Sequence, residues 1–377
     1  MGGLFLLMEN PMTFNTGFSL VAGFAMLFIG GELLIRGASR VATALGLSPL
    51  VVGLTVVAFS TSAPELAVTL QSANAGQAEI ALGNIIGSNI GNVLLILGVS
   101  ALVAPLVVQQ KLIQIDVPLM IAVSVGVWAL AADGQVAAWE GAVLVAGIVA
   151  YTTFAIWHSR RTTPAIQAEY QAAYGANPRA AQRQLALILA SVVGGIGLLI
   201  WGASWLVDGA VRIARWLGLS ELIIGLTIIA VGTSLPELVT SIIAALRNER
   251  DIAVGNVVGS NIFNLLSVLG LTALFAPSGV PVPTAALYFD FPVMVTVAAA
   301  CLPVFFSGNA IARWEGVLFL GYYGAYLLYL VLAATHHAAL PMVSATLLGF
   351  ILPLTFITLA VITVNEWRAR RVGKIAP

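Results

Sequence analysis

The sequence predicts an all-α polytopic membrane protein, built as two inverted five-helix repeats and an extra C-terminal eleventh transmembrane helix. Three observations carry this. The chain of 377 residues is 60% hydrophobic and only 8% charged, with a mean hydropathy of +1.01. A soluble domain of this size carries about 25% charged residues. Apolar runs of about 20 residues, each long enough to cross a bilayer, follow one another with short polar links. The chain also matches itself at an offset of 172 residues.

The spans follow in order. Span 1 (16–38) is apolar except for Glu32 near its end, a candidate for lining an ion path; Ser204 holds the matching position in span 6. Span 2 (47–74) sets Pro64 beside Glu65 inside an apolar run. Span 3 (80–104) carries Gly83, Gly87 and Gly91, a spacing of four that lets helices approach closely. Spans 4 (112–132) and 9 (286–307) each open with an acid two residues before a proline. That pattern predicts Asp116 and Asp290 as N-caps. Spans 5 (138–158) and 10 (314–335) hold Glu140 and Glu315 in their first turns, where they are expected to face the interface. Residues 159–184, "SRRTTPAIQAEYQAAYGANPRAAQRQ", form a charged cytoplasmic connector.

Beyond the connector the order repeats. Span 6 (185–208) matches span 1, span 7 (220–246) sets Pro236 beside Glu237, and span 8 (252–276) carries Gly255 and Gly259. The first five-helix repeat is therefore 16–158 and the second 185–335. Span 11 (341–364) has no counterpart, and 365–377 is a basic cytoplasmic tail within reach of anionic lipid. His336 and His337 are expected in solvent. Cys301 is alone, forms no intrachain disulfide, and reads as apolar filler. The N-terminus lacks a basic region ahead of an apolar core and a small-residue cleavage pattern, so it reads as mature sequence. A net charge of zero points to no nucleic-acid partner.

Orientation follows from the basic residues. With the N-terminus outside, 14 of the 16 lie on the cytoplasmic side and only Arg212 and Arg215 on the other. Eleven spans keep the basic tail inside, and an even number would strand it outside. The expected location is integral to a membrane, the bacterial inner (plasma) membrane on the ground of compactness.

Over residues 46–98 against 218–270, 26 of 53 positions are identical without a gap. Five spans separate the copies, and an odd number turns the second upside down. Inverted repeats are a transporter architecture, with the binding site near the midplane between them. A repeat kept only for packing would retain mostly apolar positions. Here the matched positions include Thr61, Ser62, Glu65, Asn84, Ser88, Asn89 and Asn92, with Thr233, Ser234, Glu237, Asn256, Ser260, Asn261 and Asn264.

Those residue types suit a cation. An ionised carboxylate at the bilayer centre costs roughly 2.5–3.5 kcal/mol on insertion scales. Glu65 and Glu237 have no basic residue mid-membrane beside them, so each is protonated or neutralised by a bound cation. Thr61 and Ser62 lie four and three residues before Glu65 and share its helix face, as Ser88 shares that of Asn92. All offer oxygen, the ligand of hard cations such as Ca²⁺. With no His or Cys in the motif, zinc and copper are disfavoured. Pro64 and Pro236 lack an N–H and clash with the carbonyl four residues back, at Ser60 and Gly232, which frees backbone oxygens. Irregular backbone at this depth is tolerated where it is buried in protein or lines a cavity.

The motifs "TSAPEL…GNIIGSNIGN" and "TSLPEL…GNVVGSNIFN" resemble the paired alpha repeats of the calcium/cation antiporter superfamily, in its sodium/calcium exchanger branch. The resemblance covers residues 16–335 and implies a ten-helix exchanger core with no cofactor and with Ca²⁺ and Na⁺ as transported ions. It implies that Glu65 and Glu237 are shared by both ions, with Thr61 and Thr233 adding backbone or hydroxyl oxygens. Ser62, Ser234, Ser88 and Ser260 would complete flanking Na⁺ sites with the carbonyls of Ala58 and Ala230. Asn92 and Asn264 would stand at the middle site. It further implies that spans 1 and 6 slide as a pair. Several family members carry aspartate where this chain has Asn264. Two carboxylates rather than three argue against potassium co-transport. Span 11 lies outside the family's core pattern.

Two other readings stand beside Na⁺/Ca²⁺ exchange. A proton-coupled Ca²⁺ (or Na⁺/H⁺) antiporter would use H⁺ as the counter-ion at the same carboxylates. An intramembrane enzyme would treat them as an acid dyad, but the sequence supplies none of a protease's companions.

Overall fold

The computed structural model describes residues 11–162, 178–218, 230–276, 279–306, 308–347 and 349. Among these, eight helices are long and apolar enough to cross a membrane: α1 (Asn15–Ala42), α4 (Ile80–Val103), α5 (Leu112–Asp133), α6 (Ala138–Arg160), α7 (Ala186–Trp216), α9 (Arg250–Phe275), α10 (Ala286–Phe306) and α11 (Arg313–Ala334). Two more, α2 (Pro49–Thr61) and α3 (Ala63–Asn74), form one broken span with a 42° bend. A shorter apolar helix, α8 (Leu235–Leu246), is the described end of predicted span 7. The last described helix, α12 (Leu340–Thr346), opens predicted span 11. The rest of that span, the basic tail 365–377 and most of the connector lie outside the described residues. The connector's two ends continue the neighbouring helices, to Thr162 and from Pro178. The fold is thus an all-helical polytopic membrane protein.

The helices sort into an enclosed layer and a lipid-facing one. α4 and α9 are the most enclosed, while α11 turns most of its apolar surface outward. Close backbone contact packs α9 onto α2. A Cβ on Gly255 would stand 2.9 Å from the Leu50 carbonyl, and one on Gly259 would stand 2.6 Å from that of Leu54. The close approach expected of these glycines is present. The residues matching that contact for Gly83 and Gly87 fall in span 7 outside the described part.

α1 and α7 run antiparallel and meet backbone to backbone. A Cβ on Gly30 would lie 2.8 Å from the Gly195 carbonyl, and one on Gly195 would lie 2.8 Å from that of Gly30; Gly23 and Gly202 repeat the arrangement. This pair meets α8 through Gly31, which faces Ile243 and Val239. At the end of α1, Glu32 forms ion pairs with Arg36 and Arg247, and Ser39 Oγ donates to Glu249 Oε1 at 3.0 Å. Glu32 thus ties α1 to the residue after α8 through a partly exposed charge pair.

Two short antiparallel ribbons close the ends of the bundle. Strand β1 (Leu106–Val107), after α4, and strands β2 (Gln135–Val136), β3 (Val280–Pro281) and β4 (Ala310–Ile311) pair as β1–β4 and β2–β3. The Ser48–Ser159, Ser39–Glu249 and Gln109–Asp251 contacts join residues that the charge count places on the same side as β1 and β4.

Three expectations are corrected. Asp116 and Asp290 are not N-caps: each ends a π-helical turn and accepts a hydrogen bond from a distant tyrosine, Tyr151 Oη at 3.1 Å and Tyr326 Oη at 3.4 Å. Glu140 and Glu315 do not face the interface. They are buried, and each folds back to accept the N–H three residues earlier, that of Ala137 at 2.8 Å and of Ala312 at 2.7 Å. That is the acidic half of a capping box, which satisfies an otherwise orphaned helix-start donor. The third concerns the prolines of the candidate site. His336 and His337 are exposed and Cys301 is buried, as expected.

Candidate cation site

Two apolar helices break one residue after a threonine. Ser62 leaves helical geometry with φ −79° and ψ 3°, and α3 begins at Ala63 with Pro64 in its first turn. Ser234 does the same with φ −91° and ψ 8°, and α8 begins at Leu235 with Pro236 in its first turn. Proline is well suited to a first turn, where its missing N–H has no helical partner to lose. The prolines therefore start new helices after a break, instead of clashing inside continuous ones. The break also places Glu65 and Glu237 in first turns, where the helix dipole favours negative charge. Both glutamates are 1% exposed.

Each serine at a break reaches the other helix's carboxylate. Ser62 Oγ donates to Glu237 Oε1 at 3.5 Å, and Ser234 Oγ stands 3.3 Å from both Glu65 Oε1 and Ser88 Oγ. No lysine or arginine among the described residues pairs with either glutamate. The second oxygen of each, Glu65 Oε2 and Glu237 Oε2, is buried without a protein donor. So are Ser260 Oγ, Asn92 Oδ1 and both amide atoms of Asn264.

Asparagines tie the halves together. Thr61 Oγ1 donates to Asn256 Oδ1 at 3.1 Å, and Thr233 Oγ1 donates to Asn84 Oδ1 at 3.3 Å. Asn84 Nδ2 donates to the Glu65 carbonyl at 3.2 Å and to Thr69 Oγ1 at 2.9 Å; Asn256 Nδ2 donates to the Glu237 carbonyl at 3.4 Å and to Ser241 Oγ at 3.0 Å. Every one of these bonds turns into its mate when each residue is exchanged for the one 172 positions away. The next layer breaks that symmetry. Asn92 Nδ2 donates to Asn261 Oδ1 at 2.9 Å, and Asn261 Nδ2 reaches the Asn89 carbonyl at 3.3 Å, whereas Asn264 has no such partner.

Hydrogen bonds thus join Glu65 with Ser234 and Ser88, and Glu237 with Ser62, while Asn92 is tied to Asn261, and Ser260 and Asn264 are buried without a bond to either glutamate. Ala58 is fully buried; its carbonyl accepts the Ser62 N–H at 3.0 Å and lies 3.3 Å from Thr61 Oγ1. Ala230 opens the described part of its helix, and its side chain lies outside the described residues. The four asparagines Asn84, Asn89, Asn256 and Asn261 were visible only as matched positions; their identity in both copies was the signal that they belong to the site. π-helical turns begin at Asn92 and Asn264, over Asn92–Leu97 and Asn264–Val268. Such turns recur at functional sites. The arrangement offers two negative charges and a set of buried oxygens, which suits a hard cation.

Comparison with known proteins agrees with this chemistry. The family described as sodium/calcium exchanger protein matches residues 16–157 and 187–332, both halves of the chain. The chain belongs to the sodium/calcium exchanger family. It is a membrane transporter and not an enzyme, and its relatives include sodium/calcium exchangers. Among them, the sodium/calcium exchanger MaX1 of Methanosarcina acetivorans is 31% identical over 342 residues, 82% of this chain and 97% of that one. The inner membrane protein YrbG of Escherichia coli is 38% identical over 288 residues, 74% of this chain and 85% of that one. A solved structure of the sodium-calcium exchanger NCX_Mj, soaked with zero Na⁺ and Ca²⁺, superposes with a TM-score of 0.70 at 29% identity, covering 82% of this chain and 97% of that one.

Proposed function

We propose that this exchanger couples Na⁺ entry to Ca²⁺ extrusion by alternating access at a midplane site between two inverted five-helix repeats, 16–158 and 185–335. One observation carries the reading: two buried glutamates, each held by the opposite repeat's serine, each with a free oxygen and no basic partner among the described residues. Two such charges balance one Ca²⁺ or two Na⁺, but not both loads at once. Competition for one site, joined to alternating access, gives antiport. The ligands are Glu65 and Glu237, with Thr61, Thr233, Ser62, Ser234, Ser88, Ser260, Asn92, Asn264 and the carbonyls of Ala58 and Ala230. The exchange symmetry of the hydrogen bonds and the pairing of β1 with β4 and β2 with β3 support a two-fold frame. In this reading ten spans form the core, the eleventh is an appendage, and the N-terminus lies outside a bacterial inner membrane.

The test is isotopic Ca²⁺ uptake into proteoliposomes loaded in turn with Na⁺, K⁺ and H⁺ gradients. Uptake is expected with the Na⁺ gradient alone, and Glu65→Gln is expected to lower it to background. Protons compete for the same carboxylates, so uptake falls as the medium is acidified. Uptake driven only by the proton gradient would replace Na⁺ by H⁺ as the coupling ion, and full activity in Glu65→Gln would remove the site.

A further inference from the structure

The Thr61 hydroxyl, beside one helix break, has a choice of acceptors, one of them an asparagine from the other half, and the Thr233 hydroxyl beside the other break donates to its own asparagine from across the halves. Thr61 has one hydroxyl proton; the Ala58 carbonyl at 3.3 Å and Asn256 Oδ1 at 3.1 Å are its acceptors within 3.5 Å, and the Glu237 carboxylate faces it as a third. The Ala58 carbonyl already accepts the Ser62 N–H. A proton given to Asn256 leaves that carbonyl one lone pair; a proton given to Ala58 closes it.

Asn256 is built to take the proton. It is fully buried, and its Nδ2 is committed to the Glu237 carbonyl and to Ser241. Turning the amide over would set its oxygen against the Glu237 carbonyl oxygen, so the network fixes which end faces Thr61. Asn84 is fixed in the same way by the Glu65 carbonyl and Thr69, and it presents its oxygen to Thr233.

We infer that Asn84 and Asn256 are positioning residues: by drawing the Thr233 and Thr61 hydroxyl protons out of the site, they keep neutral oxygen lone pairs aimed at the transported ions. The inference rests on the cation-exchange reading above. Its consequence is selective. One Ca²⁺ is held chiefly by the two carboxylates, which the asparagines leave in place. Two Na⁺ need two oxygen sets and depend more on neutral hydroxyls and carbonyls. Partners behind metal ligands typically alter affinity by about 10–100-fold.

The test is a pair of double-mutant cycles in proteoliposomes, reading the half-saturating Na⁺ for Na⁺-driven Ca²⁺ uptake and the half-saturating Ca²⁺ for Na⁺-free Ca²⁺/Ca²⁺ exchange. Asn84→Ala or Asn256→Ala is expected to raise the Na⁺ value by about tenfold and the Ca²⁺ value by under about threefold. Thr61→Val combined with Asn256→Ala is expected to be no worse than the worse single variant, because both remove one interaction. Thr61→Val combined with Asn84→Ala is expected to multiply the two effects, because Asn84 serves Thr233. Equal losses for both ions, or multiplication in both pairs, would overturn the inference. Serine in place of either asparagine carries the same cycle where alanine prevents folding. Protection of the detergent-purified protein against heat by Na⁺ or Ca²⁺ reads ion affinity without transport. Wild-type protein without Na⁺-driven uptake refutes the exchange reading, while the same coupling pattern in heat protection still decides the role of the asparagines.

Discussion

Asn264 is fully buried and neither atom of its amide has a partner, which makes it the most informative single replacement. Asn264→Asp keeps the shape and adds a third negative charge. Without cations that charge is unpaired at a depth where it costs roughly 2.5–3.5 kcal/mol. The variant is expected to unfold at a lower temperature than the parent in chelator without Na⁺, and to gain more from added Ca²⁺. Thermal unfolding in detergent, followed by tryptophan fluorescence, reads both; identical melting in chelator would show that this amide does not face the ions. At this scale the sequence reveals what local spacing encodes. Glu65 and Glu237 stand out because a charge in an apolar run has few structural excuses, and their threonines and serines lie within one helical turn. Asp116 is misread because its partner, Tyr151, sits 35 residues away, and no local spacing shows that contact. Glu140 is misread for the opposite reason: its partner is the backbone N–H of Ala137, which leaves no mark in residue type.

Elements pack here by absence of side chains. Gly30 meets the Gly195 carbonyl at a distance that excludes a methyl, whereas a Cβ on Gly126 in α5 would meet nothing within 4 Å. Gly30→Ala must push α1 off α7, and overpacking of this kind costs about 1–3 kcal/mol. Gly126→Ala removes a flexible helix residue at no steric cost, a change worth roughly 0.5–1 kcal/mol in favour of the helix. The expected outcome is a lower melting temperature for Gly30→Ala and an equal or higher one for Gly126→Ala; the reverse order would show that the α1–α7 contact does not hold the fold. Among the described residues the spans are legible from hydropathy, with ends within a few residues except where α7 runs on to Trp216. The break at Ser62 is half legible: proline announces an irregularity, but whether the helix bends or restarts depends on the cross-helix bonds that steady the break. The π-helical turns that begin at Asn92 and Asn264 are not legible, because a single extra residue per turn uses the same apolar alphabet.

For the whole molecule, the repeat predicts that loops of equivalent sequence lie on opposite sides of the membrane. In a Cys301→Ala background, Val107→Cys and Pro281→Cys, exposed positions on the corresponding strands β1 and β3 of the two repeats, are expected to react with an impermeant maleimide from opposite faces. Val107 should react only from the cytoplasmic face, and labelling of both from one face would refute the inverted frame. The repeat was legible because 26 identities sit in one ungapped register, and the sequence shows where the copies differ but not the contacts those differences make. One of them bears on how the molecule rests. The Glu32–Arg247 and Ser39–Glu249 contacts bolt α1 to α8 and the turn after it at one end, while the matching positions hold Ser204, Ala75, Val211 and Gln77 and cannot form the same bolt. In the proposed two-fold frame, a one-sided fastening keeps the molecule from resting at its midpoint. If the α1–α7 pair slides as proposed, an excursion away from α8 would sever that fastening, and the opposite excursion would sever nothing equivalent. Ion pairs this exposed are worth at most about 1 kcal/mol, a bias of about fivefold between the two poses. Because salt screens such pairs, ionic strength becomes a dial on the resting pose, separate from the occupancy of the central site.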